Sequence, residues 1–164
     1  MCGIIGFVGK EPAAPILLEG LERMEYRGYD SAGVAVRSET AGLQIRKTKG
    51  RLKVLSDLIH GGADLEGNLG IGHTRWATHG EPNDINAHPH VSENGRIALV
   101  HNGIIENYLE IKEHLMRQGV HFTSDTDTEV VAQLLEFHYN ECHNMLEAVG
   151  RCLRRIEGSY ALGI

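Results

Sequence analysis

No stretch of this sequence comes near the ~20 consecutive apolar residues of a membrane span. The opening Met-Cys-Gly-Ile-Ile-Gly lacks the basic region and long apolar core of a secretory signal. Cysteine is scarce: three residues, at 2, 142 and 152, an odd and widely spaced set that builds no disulfide framework. A reducing, cytoplasmic setting is the expectation. Positive charge is also short, with 16 Lys and Arg against 22 Asp and Glu for a net charge of -6. Bulk electrostatics therefore do not favour nucleic acid as a partner. There is no glycine-rich phosphate-binding motif, no repeat and no low-complexity stretch. What remains is a globular chain of 164 residues, 41% apolar and 23% charged, of ordinary size for one domain.

Two residue types are plentiful. Glycine numbers 20 against only four prolines, and its dispersal beside polar clusters points to tight backbone approaches. Histidine numbers 10 and has to be explained position by position. Gly3 to Val8 reads as a strand, and Ile16, Leu17, Leu18, Leu21 and Met24 mark a helical face after Pro12 and Pro15. Residues 31–37 and 43–48 read as short strands, and 51–59 as a short helix stopped by Gly61-Gly62. Strands at 70–74 and 96–101 flank a polar loop over 76–95 that carries Trp76, His79, His88 and His90, too much chemistry for a plain connector. Ile105, Tyr108, Leu109, Leu115 and Met116 form a helical stripe ending at Gly119. Thr126 or Asp127 caps a second helix, with Glu129 as the box partner of Thr126 and Val130, Val131, Leu134 and Leu135 as its inner face. A third helix carries Met145, Val149, Cys152, Leu153 and Ile156, and residues 159–164 begin another strand. The order suits helices packed on antiparallel sheets, an α+β class, and an ending on a strand predicts a domain cut short on its C-terminal side.

Four features carry chemistry. Removal of Met1 would leave Cys2 as an N-terminal cysteine, whose α-amino group (about 7.7 to 8.0) titrates close to its thiol (about 8.5), so the nucleophile carries its own base. The plain alternative is a cysteine packed at a strand start. In His73-Thr-Arg-Trp-Ala-Thr-His-Gly80, Arg75 can fork onto a carboxylate, Thr78 can add a hydroxyl and Trp76 can form a wall or lid. A solvated Arg and a structural Trp are the bland reading. In His101-Asn-Gly-Ile-Ile-Glu106, read as a strand end leading into a helix, the Asn102 amide and the Gly103 N–H can donate together to one developing oxyanion, or simply make a turn. Asp125 and Asp127 precede a helix, where capping is the default role and a ligand ammonium the alternative. His79, His88 and His90 could meet one zinc ion, although no thiol or carboxylate shares the regular spacing of such a site. Cys142 and Cys152 are assigned no function.

Cys2-Gly-Ile-Ile-Gly6, LERMEYRGYDSAG at 21–33, HTRWATHG at 73–80, NAHPHVSE at 86–93, HNGIIEN at 101–107 and SDTDTE at 124–129 occur in that order. Together they resemble the N-terminal glutamine amidotransferase domain of the glutamine–fructose-6-phosphate aminotransferases (isomerizing). They are less like the related amidophosphoribosyltransferases, asparagine synthetases or glutamate synthases. The resemblance implies a four-layer αββα sandwich of two antiparallel sheets, of the N-terminal nucleophile (Ntn) hydrolase type, C-terminally truncated in residues 1–164. It implies Cys2 as the nucleophile toward the glutamine amide, with its α-amine as base and then acid, and Asn102 and Gly103 as oxyanion donors. It places Arg75 and Thr78 at the substrate α-carboxylate with His79 beside them, Asp127 at the α-ammonium, and Trp76 in the loop that covers the site. His88 and Arg27 fall in family motifs as supporting positions. L-Glutamine is the implied substrate, with no cofactor and no metal. In full-length members the implied partners are fructose-6-phosphate and the sugar-phosphate isomerase domains, the latter absent from residues 1–164, in a homo-oligomer that engages neither nucleic acid nor membrane. An inactive glutamine-binding piece, or the glutaminase domain of another class II amidotransferase, is the alternative.

Overall fold

The computed structural model describes residues 2–77 and 80–164; Met1, Thr78 and His79 lie outside the described residues. The elements run β1 (Gly3–Val8), α1 (Ala13–Glu22), β2 (Ser31–Ser38), β3 (Gly42–Lys49), α2 (Leu52–Leu58), β4 (Leu69–Arg75), β5 (His90–Val91), β6 (Ala98–Ile105), α3 (Tyr108–Arg117), α4 (Asp127–Cys142), α5 (Met145–Leu153) and β7 (Gly158–Gly163). They assemble into two antiparallel sheets, ordered β1-β4-β2-β3 and β5-β6-β7. Helices α1 and α2 pack on the outer face of the first sheet and α3, α4 and α5 cover the second, while β1 and β4 face β6 and β7. The layers are therefore helix, sheet, sheet, helix, as the resemblance implies.

Each helical layer has its own apolar core. Under α1, the i, i+3, i+4 spacing buries Leu17, Leu18 and Leu21 against Val34 and Val36 of β2 and Leu55 and Ile59 near α2. Under α4, Val130, Val131, Leu134 and Leu135 pack with Leu99, Ile105, Ile111 and Leu115. Between the sheets, strand alternation turns His73 of β4 and Asn102 of β6 toward each other, so this space is where chemistry can be held.

Four local expectations change, the last only in part. The 96–101 strand runs on to Ile105 because β7 pairs along it, Ile105 opposite Gly158, so Ile105 begins no helix. The buried face of α3 is Ile111 and Leu115, whereas Leu109 and Met116 are exposed. The polar loop contains a two-residue strand, β5, whose His90 pairs with Leu99. The cap of α4 is half as expected: Thr126 Oγ1 accepts from Glu129 N–H at 3.2 Å, but the Glu129 carboxylate passes over Thr126. It accepts instead from Thr123 and Ser124 through both their backbone N–H and hydroxyl groups. That network fixes the turn leading into α4 and so sets where Asp127, the first residue of the helix, points.

Candidate active site

Cys2 lies just ahead of β1, whose register puts Gly3 opposite Thr74 of β4. Alternation along β4 turns His73 and Arg75 to the same face, toward the second sheet. Asn102 and Gly103 come from β6 and Asp127 from the start of α4. Cys2, Arg75, Trp76, Asn102, Gly103 and Asp127 all line one cavity of about 290 Å³, together with His88, His101, Ile104 and Thr128. A space of that size is at the small end for a ligand pocket. Six of the eight expected site residues are thus brought together from four separate segments; Thr78 and His79 lie outside the described residues.

The contacts are specific. Trp76 N–H donates to Cys2 Sγ at 3.1 Å, and the thiol sits 3.4 Å from Trp76 O. Asn102 Nδ2 donates to Cys2 O at 3.1 Å, which brings the carboxamide alongside the nucleophile's residue. The pair Asn102-Gly103 makes no turn; both residues lie inside β6, and Gly103 has φ 122°, a backbone that L side chains rarely adopt. A Cβ there would fall on Ser159 O and lie 2.8 Å from Tyr160 Cα. Asp127 Oδ2 accepts from Ile105 N–H at 2.9 Å and lies 3.9 Å from His101 Nδ1. Arg75, only 3% exposed, donates to Gly80 O at 3.3 Å. Burial pulls its pKa down, while Cys2, Asp127 and Asp30 push it back up, and a guanidinium remains charged throughout. A cation and an anion thus face one small cavity beside a thiol, a geometry that fits a zwitterionic ligand.

The RGYDSAG block proves to be scaffolding for the segment after β4. Asp30 Oδ2 accepts from Ala77 N–H at 2.9 Å, and Asp30 N–H donates to Arg75 O at 3.0 Å. A Cβ on Gly28 would lie 2.8 Å from Arg75 C and 2.9 Å from Trp76 N, so only glycine lets the two backbones meet. Trp76 itself is half-exposed and stacks edge-on against Tyr29, with ring centroids 5.6 Å apart.

Three buried histidines cluster beside the cavity, while the His101 ring turns to α4, its Nδ1 2.9 Å from Thr128 Oγ1. His73 and His88 stack at 4.3 Å, and His88 meets His90 edge-on at 5.0 Å. Burial lowers His73 to about 4 and holds His88 and His90 well below the ordinary imidazole value, so all three are neutral near pH 7. His88 Nδ1 accepts from His101 N–H at 3.4 Å, and His90 Nε2 bonds Thr126 Oγ1 at 2.9 Å. Among the described residues no group of three His, Cys, Asp or Glu side chains could hold a metal ion. Lys47 pins the histidine loop by donating to Ile85 O at 3.0 Å and Ala87 O at 2.7 Å; burial lowers its own pKa to about 8. Spacing and motif do not single out His73, His101, Thr128 or Asp30. Strand alternation is the one signal that could have found His73, which lies two residues before Arg75 on the same face.

A two-sheet fold whose cavity holds a cysteine, an amide donor, a guanidinium and a carboxylate belongs to the Ntn-type amidotransferase class. Residues 41–164 match the glutamine amidotransferase domain family, and the chain belongs to that family. It is 59% identical over all 164 residues to the glutamine–fructose-6-phosphate aminotransferase [isomerizing] of Caldanaerobacter subterraneus, of which it covers 26%. It is 56% identical over 162 residues to the enzyme of that name from Thermus thermophilus, again covering 26% of the relative. The chain therefore spans about a quarter of the length of these curated relatives. Among solved structures it resembles the B. subtilis glutamine phosphoribosylpyrophosphate amidotransferase complexed with ADP and GMP, with TM-score 0.82 and 28% identity, over 99% of this chain and 34% of that one.

Proposed function

We propose that this chain is the glutamine-hydrolysing part of an ammonia-transferring enzyme of the glutamine–fructose-6-phosphate aminotransferase type. The observation that carries the proposal is the convergence of Cys2, Asn102, Gly103, Arg75 and Asp127 on one cavity. Arg75 takes the α-carboxylate of L-glutamine and Asp127 its α-ammonium, leaving the side-chain amide at Cys2. By the family resemblance Thr78 shares the carboxylate role with His79 beside it, and Trp76 walls the site.

With Met1 removed, the α-amine of Cys2 accepts the thiol proton as sulfur attacks the amide carbon. The C–S bond forms and the carbonyl electron pair moves onto oxygen, where Asn102 Nδ2–H and Gly103 N–H receive it. The same amine returns the proton to the leaving nitrogen, the C–N bond breaks and ammonia departs. Water then attacks the thioester, releasing glutamate and restoring the thiol. No step needs a cofactor. In the whole protein the ammonia is passed to isomerase domains acting on fructose-6-phosphate, within a cytoplasmic homo-oligomer. No helix among the described residues is long and apolar enough to cross a membrane. Ammonia release from glutamine by the native chain, lost on Cys2→Ala while glutamine still binds, tests the reading; hydrolysis by Cys2→Ala at the native rate overturns it.

A further inference from the structure

An asparagine carboxamide serves as an oxyanion donor in only one of its two flip states. With the NH2 toward the nucleophile it stabilises developing negative charge; rotated by half a turn it presents an oxygen lone pair and repels it. Something must hold Asn102 the right way round while charge develops. Cys2 O supplies one constraint: a backbone carbonyl only accepts, so the atom 3.1 Å from it is Nδ2. Oδ1 then faces the other way, 2.9 Å from His73 Nε2.

An amide oxygen also only accepts, so Nε2 must carry the proton. The same Nε2 lies 3.1 Å from His101 O, a second acceptor, which selects the same tautomer. His73 is fully buried, its ring stacked on His88, and its Nδ1 has no hydrogen-bond partner among the described residues. The ring therefore has no competing polar contact that would turn it over. We infer that His73 is a positioning residue, locked as the neutral Nε2–H tautomer, whose proton holds Asn102 in the flip state that donates to the substrate oxyanion. The inference rests on the proposed nucleophilic role of Cys2. A link between residues 29 positions apart leaves no trace in local spacing. It arises because β4 and β6 face each other across the sandwich.

The consequence is confined to the transition state. His73 reaches neither Arg75's guanidinium nor Asp127 by any hydrogen bond among the described residues. Losing the clamp should therefore leave glutamine capture intact and lower kcat, by roughly tenfold to a hundredfold, somewhat less than removal of an oxyanion donor outright. The ring is neutral near pH 7 and takes no part in proton transfer, so the acidic limb of the pH–rate profile should not move.

The test compares the native chain, His73→Phe and His73→Gln in glutamine hydrolysis, each rate divided by the number of sites a γ-diazoketone analogue of glutamine labels. The expected result is kcat per labelled site down at least tenfold in His73→Phe, KM within about threefold of native, an unmoved acidic limb, and substantial recovery in His73→Gln, which keeps a donor. Native kcat per site in His73→Phe overturns the inference, as does an equal loss through KM or a shifted acidic limb. Should His73→Phe not fold, nitrogen-15 NMR of the native chain decides. A neutral His73 protonated at Nε2 across about pH 5.5 to 8 supports the clamp, and an Nδ1–H or charged ring overturns it. A native chain that is neither labelled nor hydrolytic, yet shows the expected tautomer, refutes the nucleophile reading and with it the catalytic use of the clamp.

Discussion

Acidification should unfold this domain early, and the three buried histidines set where. His73 has a pKa of about 4 in the fold against 6.5 for the free side chain, because burial penalises its charged form more than the Asn102 and His101 contacts restore it. His88 and His90 are displaced the same way by burial, to which His73, His90 and Arg75 add like-charge repulsion at His88, and Lys47 and Arg75 at His90. A folded pKa below the unfolded one means the unfolded chain takes up the proton first. The contribution to stability is therefore complete above about pH 6.5 and is lost as the pH falls toward the folded values. Each such group removes about 1.4 kcal/mol per pH unit inside its window, so His73 alone removes about 3 kcal/mol between pH 6.5 and 4. His88 and His90 add to that loss in the same direction, against the ~5–15 kcal/mol that holds a typical domain together. Urea midpoints measured from about pH 7.5 down to 5 should fall steadily below 6.5. A midpoint that stays flat to about pH 5, or a His73 ring titrating near 6.5 by NMR, would show that the buried histidines do not set the acid limit of the fold.

Two further outcomes follow from the same geometry. Gly33→Ala puts a Cβ onto His88 O with Lys47 Cβ 2.6 Å away, so strand and histidine loop must separate. We expect a loss of about 1–3 kcal/mol in thermal or urea unfolding, and an unchanged midpoint would show the loop is not seated there. Asp127→Asn removes the negative charge proposed for the substrate ammonium but keeps an acceptor for Ile105 N–H. KM for glutamine should rise about tenfold or more while labelling of Cys2 at saturating analogue persists, and an unaltered KM would remove Asp127 from the binding role.

Much of the sandwich is readable because Val34 and Val36 in β2, and Leu43 and Ile45 in β3, recur at strand spacing and because leucines in α1 repeat at helical spacing. Elements that depend on distant partners are not. A two-residue strand such as β5 has no periodicity of its own, and His90 becomes part of a sheet only because Leu99 lies opposite. The extension of β6 through Asn102-Gly103 is hidden because that dipeptide reads as a turn, and only β7, far along the chain, holds it extended. In the site, residues with distinctive chemistry such as Cys2, Arg75 and Asp127 can be nominated from type and motif. His73 and Asp30 cannot, since an imidazole that orients an amide and a carboxylate that ties down Ala77 look like any buried histidine and any turn aspartate until the sheets are stacked.

In the proposed reaction Cys2, as the first residue of the mature chain, is the thiol that attacks glutamine. Intact mass and N-terminal sequencing of the purified chain, before and after the γ-diazoketone analogue, test it most directly. Cys152 is buried, its thiol pushed up to about 12, and Cys142 Sγ lies 3.3 Å from Asn144 O at the far end of α4. Neither lines the cavity. The expected product is a chain beginning at Cys2 that gains one adduct, on Cys2 alone and blocked by excess glutamine. A chain that begins at Cys2 yet stays unlabelled, an adduct on Cys142 or Cys152, or full hydrolysis with Met1 retained would contradict it.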